Sequence, residues 1–479
     1  MDNHYRAYEG DINNSVARKE WRAGINDEET LHLLKRDEKV FLHQSLSTPC
    51  LDVIQTCKGS KIFNRQGAEY LDFHGNNLHQ AGFANPFIIE KIKQQLDVCS
   101  FSTRRFTNET SIQCAEKLTS MLPEALTRVL FAPGGTSAIE MALKLARVVT
   151  GKYKVISYFD SFHGASLDAI SAGGERSFKE RIGPLMPGSI CIPPPLALGG
   201  IFEGRTNTSI SSDSASSRPG KIISQKQYHI STRKPEELYL NEMHYADYLE
   251  YVIEKEGDIG AFIAEPLRNT DVQIPSRNYW KRIREICNKH NILLILDEIA
   301  LAFGRTGKIF AFENFDIEPD IICLGKALGG GIIPFAAIVA REEFNVAPDI
   351  SLGHYTHEKS PVGAAACLAT LEFIEQKHIV DKAKDDENFM FETLSALCAK
   401  HEIIDHIRGI GLLWGIELRK NDQPAVAEAE KIMYDCLARG LSYKVSKGNV
   451  ITLAPALTVT HEELEKAVTV LDKSMNNQV

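Results

Sequence analysis

Two apolar patterns alternate along much of the chain. Short apolar-rich runs occur at Val129–Phe131, Lys154–Phe159, Gly260–Pro266, Ile292–Leu296 and, after Asp320, Ile321–Leu324, the run at Ile292–Leu296 being unbroken. Runs of this length with no polar alternation predict strands buried on both faces of a sheet. Between them the apolar residues recur with the helical period. A helix is predicted from Pro86 to about Val98, with Phe87, Ile88, Ile92 and Leu96 on one face. Others are predicted from Ser111 to Met121, beyond Gly135 with Ile139, Leu143 and Ala146 in phase, and from Tyr245 to Lys255. Buried strands alternating with amphipathic helices make this an α/β chain.

The ends of the chain differ. Residues 1 to about 60 read as helical but poorly patterned, and Lys61–Phe73 as a hairpin around Asn64-Arg65-Gln66-Gly67. From about residue 340, helices alternate with short strands such as Gly411–Glu417 and Val450–Leu453, which predicts a separate α+β domain. The expected division is an N-terminal segment, 1–75, contributing to a small domain, a large domain over 76–340, and a C-terminal small domain over 341–479. Within the large domain, 196–235 is rich in Ser, Thr and Gly and reads as a long mobile loop.

Composition narrows the class. A chain of 479 residues can bury one large core and a second, smaller one. A net charge of −9 with no basic stripe argues against nucleic acid, and no apolar run reaches the length of a membrane span. Ten cysteines show neither CxxC nor His-spaced pairs, so reduced thiols in the cytoplasm are expected, with no metal.

The chemistry gathers at strand ends. Ile292–Leu296 runs into Asp297 and Glu298, and Asp320–Leu324 delivers Lys326 ahead of Gly329-Gly330-Gly331. Open α/β sheets place ligands at the carboxyl ends of their strands. An Asp and a Lys there fit a pyridoxal phosphate (PLP) site, where the lysine carries the cofactor and the aspartate keeps its pyridine nitrogen protonated. Taken singly, each residue reads as an ordinary cap or solvated charge; the pair in this setting carries the argument. Val129–Phe131 leads into Gly134-Gly135-Thr136-Ser137 and a helix, an arrangement that attracts a phosphate. Phe162 and His163 follow the strand at Lys154–Phe159, with Phe162 placed to stack on a flat ring. Glu265 ends another strand, and Arg104 and Arg105 lie in a polar loop before a helix, solvated or an anion site.

These segments resemble the PLP-dependent enzymes of fold type I, within the class III aminotransferase family. The resemblance runs from about residue 60 to 470. It is carried by Asp297-Glu298 with Phe303–Gly307, by Pro319–Gly331 around Lys326, by Phe162-His163-Gly164, and by the glycine loop at 134–136. It implies a large domain with a mostly parallel seven-stranded sheet between helices, and a smaller α+β domain. It also implies Lys326 as cofactor lysine and proton shuttle, Asp297 on the pyridine nitrogen, and Ile299 and Phe162 on opposite ring faces. Gly135 and Thr136 would hold the cofactor phosphate. Thr356 matches the threonine offered to the phosphate from a neighbouring subunit, which implies a homodimer with shared active sites.

Departures from the family redirect the expected substrate. The arginine that binds an α-carboxylate is replaced by Thr452 in Thr-Leu-Ala-Pro-Ala-Leu457, and the Gly-Glu pair that parks it by Arg268-Asn269. Ala300 and Ser137 also depart from the pattern. Losing a bidentate carboxylate partner costs about 2–4 kcal/mol, so a cycle of α-amino acid and 2-oxoglutarate is disfavoured unless another arginine substitutes. A small-molecule amine with a phosphonate or phosphate group fits better, with Arg105 and Arg268 as its expected anion partners. The pattern resembles ammonia-lyases of aminophosphonate breakdown, which implies loss of the hydroxyl and of ammonia from (R)-1-hydroxy-2-aminoethylphosphonate. An aminotransferase acting on an ω-amine or aminophosphonate is the alternative. A phospho-lyase and a silent PLP-binding protein rank below it.

Overall fold

The computed structural model describes residues 15–44, 47–196, 201, 222–224, 229–231 and 242–477. Its centre is a seven-stranded sheet. In chain order the strands are β1 (Leu126–Ala132), β2 (Lys154–Tyr158), β3 (Ser189–Ile192), β4 (Ile259–Ala264), β5 (Leu293–Asp297), β6 (Ile321–Leu324) and β7 (Ala336–Arg341). Across the sheet they run β1-β7-β6-β5-β4-β2-β3. Neighbours are parallel except β7, which is antiparallel to both β6 and β1. The expected α/β architecture with a mostly parallel sheet is therefore present.

The apolar-rich runs are explained by burial on two sides. Ile295, Ile263, Ile321 and Cys323 face helix α1 (Gly135–Thr150), which presents Ile139, Ala142, Leu143 and Ala146. Their alternating neighbours Leu294, Leu296, Phe262, Ile322 and Leu324 face the other way, where helix α2 (Arg277–His290) supplies Tyr279, Trp280, Ile283 and Ile286. Each such side chain contributes about 1.5–3 kcal/mol on leaving water. This layering fixes which strand ends meet at the upper edge.

The chain termini join on one side. Strands Ile54–Lys58, Lys61–Asn64 and Glu69–Asp72 form a small antiparallel unit that Leu441–Ser442 extends in parallel. Strands Lys444–Ser446, Val450–Leu453, Leu413–Lys420 and Ile404–Ile410 make another sheet. Part of the expected 196–235 loop belongs to it. Ile222–Ser224 and His229–Ser231 pair with each other, and the latter with Ile404–Ile410, so a hairpin stands where a loop was expected. Apart from residues 196 and 201, the rest of that stretch lies outside the described residues. Leu96 also departs from expectation: its helix buries Ile88 and Ile92, while Leu96 stays half exposed.

The Phe303–Gly307 motif ties these parts together. Arg305 is fully buried and donates to the carbonyls of Leu412 at 2.9 Å and Pro455 at 2.6 Å. Among the described residues no acid forms an ion pair with it, and burial pushes its pKa down to about 9.

Candidate active site

Five strand ends deliver side chains to one edge of the central sheet. β5 ends in Asp297, whose Oδ1 accepts the Ile299 N–H at 3.0 Å. Its other oxygen accepts from His163 Nδ1 at 2.8 Å, and both residues are buried. His163 arrives from the loop after β2, and its Nε2 is buried without a partner. Glu265 follows β4 and accepts the Asn269 N–H at 3.1 Å. Burial, reinforced by the nearby Asp297, raises its pKa to about 7.

Lys326 follows β6. Its φ of 47° is left-handed, which costs an L-residue about 1–2 kcal/mol and is the kind of local cost functional positions retain. The side chain keeps accessible surface, yet protein crowds around it, as at the floor of a cleft. That crowding lowers its pKa below the ordinary lysine value; Asp297 and Glu265 pull the other way, and Lys444 adds to the lowering.

The end of β1 passes through Gly134 into α1, whose first turn has no side-chain cap. Its leading N–H groups are therefore available to an anion. Close packing forms the cradle: a Cβ on Gly135 would lie 2.9 Å from Ile299 Cδ1, and one on Gly164 2.5 Å from Thr136 Oγ1. The Ala165 N–H donates to Thr136 Oγ1 at 3.2 Å. Ile299 thus lies against the glycine turn, and it also borders Gly325, just before Lys326. Phe162 is 40% exposed, with its ring 4.7 Å from that of Phe178.

The other expected residues fall elsewhere. Arg268 is buried, and its bidentate edge is already engaged: Nε and Nη2 each lie 2.5 Å from the Asp271 carboxylate. Burial alone would raise the Asp271 pKa, but Arg268 and Lys447 hold it well below the ordinary range. Two of the Arg268 nitrogens are thus occupied within the protein, and Nη1 is left without a hydrogen bond among the described residues. Arg105 is exposed. Its loop packs on the 354–359 segment through Arg104–His354 and through Asn108 to the Lys359 carbonyl. That segment is anchored to α1 by Tyr355 and Glu140, leaving Thr356 exposed beside it.

Two participants, Asp271 and Lys444, escaped the sequence reading, and a third, His74, lies in the 74–77 loop, which reads from sequence as a turn able to approach a ligand. Asp271 follows Arg268 by three residues and carried no motif. His74 and Lys444 come from opposite ends of the chain. Burial, with Lys444 and Lys326 nearby, drives the His74 pKa down to about 3. The parallel pairing of Leu441–Ser442 with Leu71–Asp72 brings these two residues together, and no local signal announces it.

The arrangement fits PLP on its own terms. An uncapped helix start with a packed glycine turn suits the phosphate, Asp297 is braced at the sheet edge by His163, and an amine of lowered pKa stands in the cleft.

Comparison with known proteins agrees. The family described as Aminotransferase class-III matches residues 43–199 and 196–475. A protein named (R)-1-hydroxy-2-aminoethylphosphonate ammonia-lyase, from Vibrio splendidus, is 52% identical over 98% of this chain and 95% of its own length. An alanine/serine racemase from Pyrococcus horikoshii is 29% identical over 88% of this chain and 84% of its own. Among solved structures, a Bacillus anthracis aminotransferase superposes with TM-score 0.81 at 25% identity, covering 95% of this chain and 100% of that one. An amine transaminase from an uncultivated Pseudomonas species, in its PLP-bound form, gives 0.79 at 27% identity, covering 92% and 99%. The chain belongs to the class III aminotransferase family and is a PLP-dependent enzyme.

Proposed function

We propose that this enzyme is an ammonia-lyase that converts (R)-1-hydroxy-2-aminoethylphosphonate to phosphonoacetaldehyde and ammonia. The observation that carries the reading is the 52% identity, over nearly the full length of both chains, to the Vibrio splendidus ammonia-lyase. The site supports it independently. Thr452 stands where a carboxylate-binding arginine would be expected, and its hydroxyl donates to the Thr270 carbonyl at 2.8 Å. An α-carboxylate therefore finds no guanidinium at that position.

Bound PLP supplies an electrophilic carbon for the substrate amine and a ring that takes up the electrons left when a proton departs. Gly135 and Thr136, with the start of α1, would hold its phosphate. Phe162 and Ile299 would flank its ring, and Asp297, braced by His163, would face the ring nitrogen. Lys326 would carry the cofactor at rest. Once displaced by substrate it is an amine of lowered pKa, suited to take the proton from the amine-bearing carbon. It can pass that proton to the hydroxyl on the neighbouring carbon, which leaves as water. Hydrolysis of the released enamine returns one water and yields the aldehyde and ammonia. No amino acceptor is consumed.

We also propose a homodimer in which Thr356 of each subunit reaches the phosphate site of the other, supported by its exposed, well-anchored loop. The small domain would unite residues 1–75 with 341–479, a division supported by the pairing of Leu71–Asp72 with Leu441–Ser442. A cytoplasmic location is supported by ten free cysteines. Among the described residues no helix is long and apolar enough to cross a membrane.

The test is ammonia release from the aminophosphonate with no keto acid present. A lyase sustains release over many turnovers. An aminotransferase acting on the same amine, the reading its transaminase neighbours favour, stops after one.

A further inference from the structure

We propose that Lys444 holds the phosphonate of the substrate, an anion site unmarked in the sequence; this rests on the aminophosphonate reading above. The geometry that places it is set by two strand pairings and two side-chain hydrogen bonds. Leu441–Ser442 runs parallel to Leu71–Asp72, and the Phe73 N–H donates to the Ser442 carbonyl at 2.8 Å, so the chain passes alongside the His74 loop. Lys444 then pairs directly opposite Thr452. Thr452 in turn binds Thr270, in the loop that follows Glu265. That loop meets the His74 segment again, where Asn77 Nδ2 donates to Asn269 Oδ1 at 3.1 Å. Lys444 therefore stands in the wall above Lys326, where its charge is felt by both Lys326 and His74.

Its neighbours have no charge to give it. Among the described residues Lys444 has no ion-pair or hydrogen-bond partner, although it is only partly exposed. Lys447, three residues on, is paired with Asp160 at 2.7 Å. Arg268 is matched by Asp271. An ammonium with no anion beside it has its charge uncompensated by protein, and a dianion arriving there gains a charge-assisted contact. The substrate carries that dianion on the carbon next to the one that bears the amine, so an anchor close to Lys326 is required. Arg268, already neutralised, does not meet that requirement.

The experiment uses PLP-loaded wild type, Lys444→Gln and Lys444→Arg. Three quantities are read: KM for (R)-1-hydroxy-2-aminoethylphosphonate, the dissociation constant of methylphosphonate by calorimetry, and turnover of 2-aminoethanol, the same amino alcohol lacking the phosphonate. Lys444→Gln is expected to raise KM and the methylphosphonate constant at least tenfold. It should lower kcat/KM for the aminophosphonate at least tenfold more than for 2-aminoethanol, because any effect through Lys326 is common to both substrates, and Lys444→Arg should restore most of the affinity. Unchanged methylphosphonate affinity in Lys444→Gln overturns the proposal. So does an equal loss of kcat on both substrates at constant KM, which would assign Lys444 to tuning Lys326 alone. Should wild type release no ammonia from the aminophosphonate, the lyase reading fails, while the methylphosphonate measurement still decides the anion site.

Discussion

The floor of the cleft and its wall are built on opposite plans. On the floor, Asp297, Glu265, His163 and Lys326 extend from ends of neighbouring parallel strands, and layers packed on both sheet faces hold them in place. Opposite charges are close together there, and they pull against one another: Asp297 and Glu265 oppose the lowering of the Lys326 pKa. On the wall, Arg268, Asp271, Lys447 and Asp160 neutralise each other in a network, and Lys444 stands outside it. The contrast teaches a division of labour. The floor tunes protonation, which needs rigid distances, and in the role proposed for Lys444 the wall selects a substrate, which needs one charge left unspent.

The largest effect should come from the floor. Lys326→Ala is expected to lower kcat by about 10³-fold or more, since it removes both the proton carrier and the cofactor's anchor. Steady-state ammonia release and loss of the visible imine band would check this, and residual activity near wild type would break the assignment.

Glu265 sharpens the floor electrostatically. Its pKa is about 7 in the folded protein against an ordinary 4.5. A carboxyl raised in this way contributes stability that is complete below about pH 4.5 and is lost as pH climbs through 7. The loss is at most about 3 kcal/mol. In cofactor-stripped protein, Glu265→Gln should abolish that part of the fall between pH 5 and pH 8, read from urea midpoints. If wild type and variant fall in parallel, Glu265 is already ionised in the folded state.

On the wall, Lys444→Gln should cost about 10- to 100-fold in KM, the size of one charge-assisted contact. A larger loss at Arg268→Ala in methylphosphonate affinity would move the anion site back to the residue the sequence favoured. The smallest effect lies beneath both regions. Glu298 accepts the N–H groups of Ala311 and Phe312, each at 2.7 Å and each on a separate oxygen. Glu298→Gln turns one acceptor into a donor facing a donor, and should destabilise the protein by about 1–2 kcal/mol, measurable by thermal unfolding at constant pH.

How much of this was legible depended on where each instruction resides. The helix Pro86–Val98 and the strand Val450–Leu453 have the boundaries the pattern indicated, because periodicity and flanking turn residues are local. The 222–224 and 229–231 hairpin was not legible: a Ser-rich stretch reads as loop until a sheet edge offers partners. Arg268 was judged by its charge, and the nearby Asp271 that occupies its fork became visible only as a contact.

By itself the sequence determined the two-sided strands, the glycine turn before α1, and the presence of an acid and a lysine just beyond buried strands. Those follow from burial and backbone freedom, which act over a few residues. Only the tertiary structure decided which charges cancel and which remain. Coulombic neighbours such as Lys444 and His74 are set by strand pairing across most of the chain, and no short-range pattern encodes that distance.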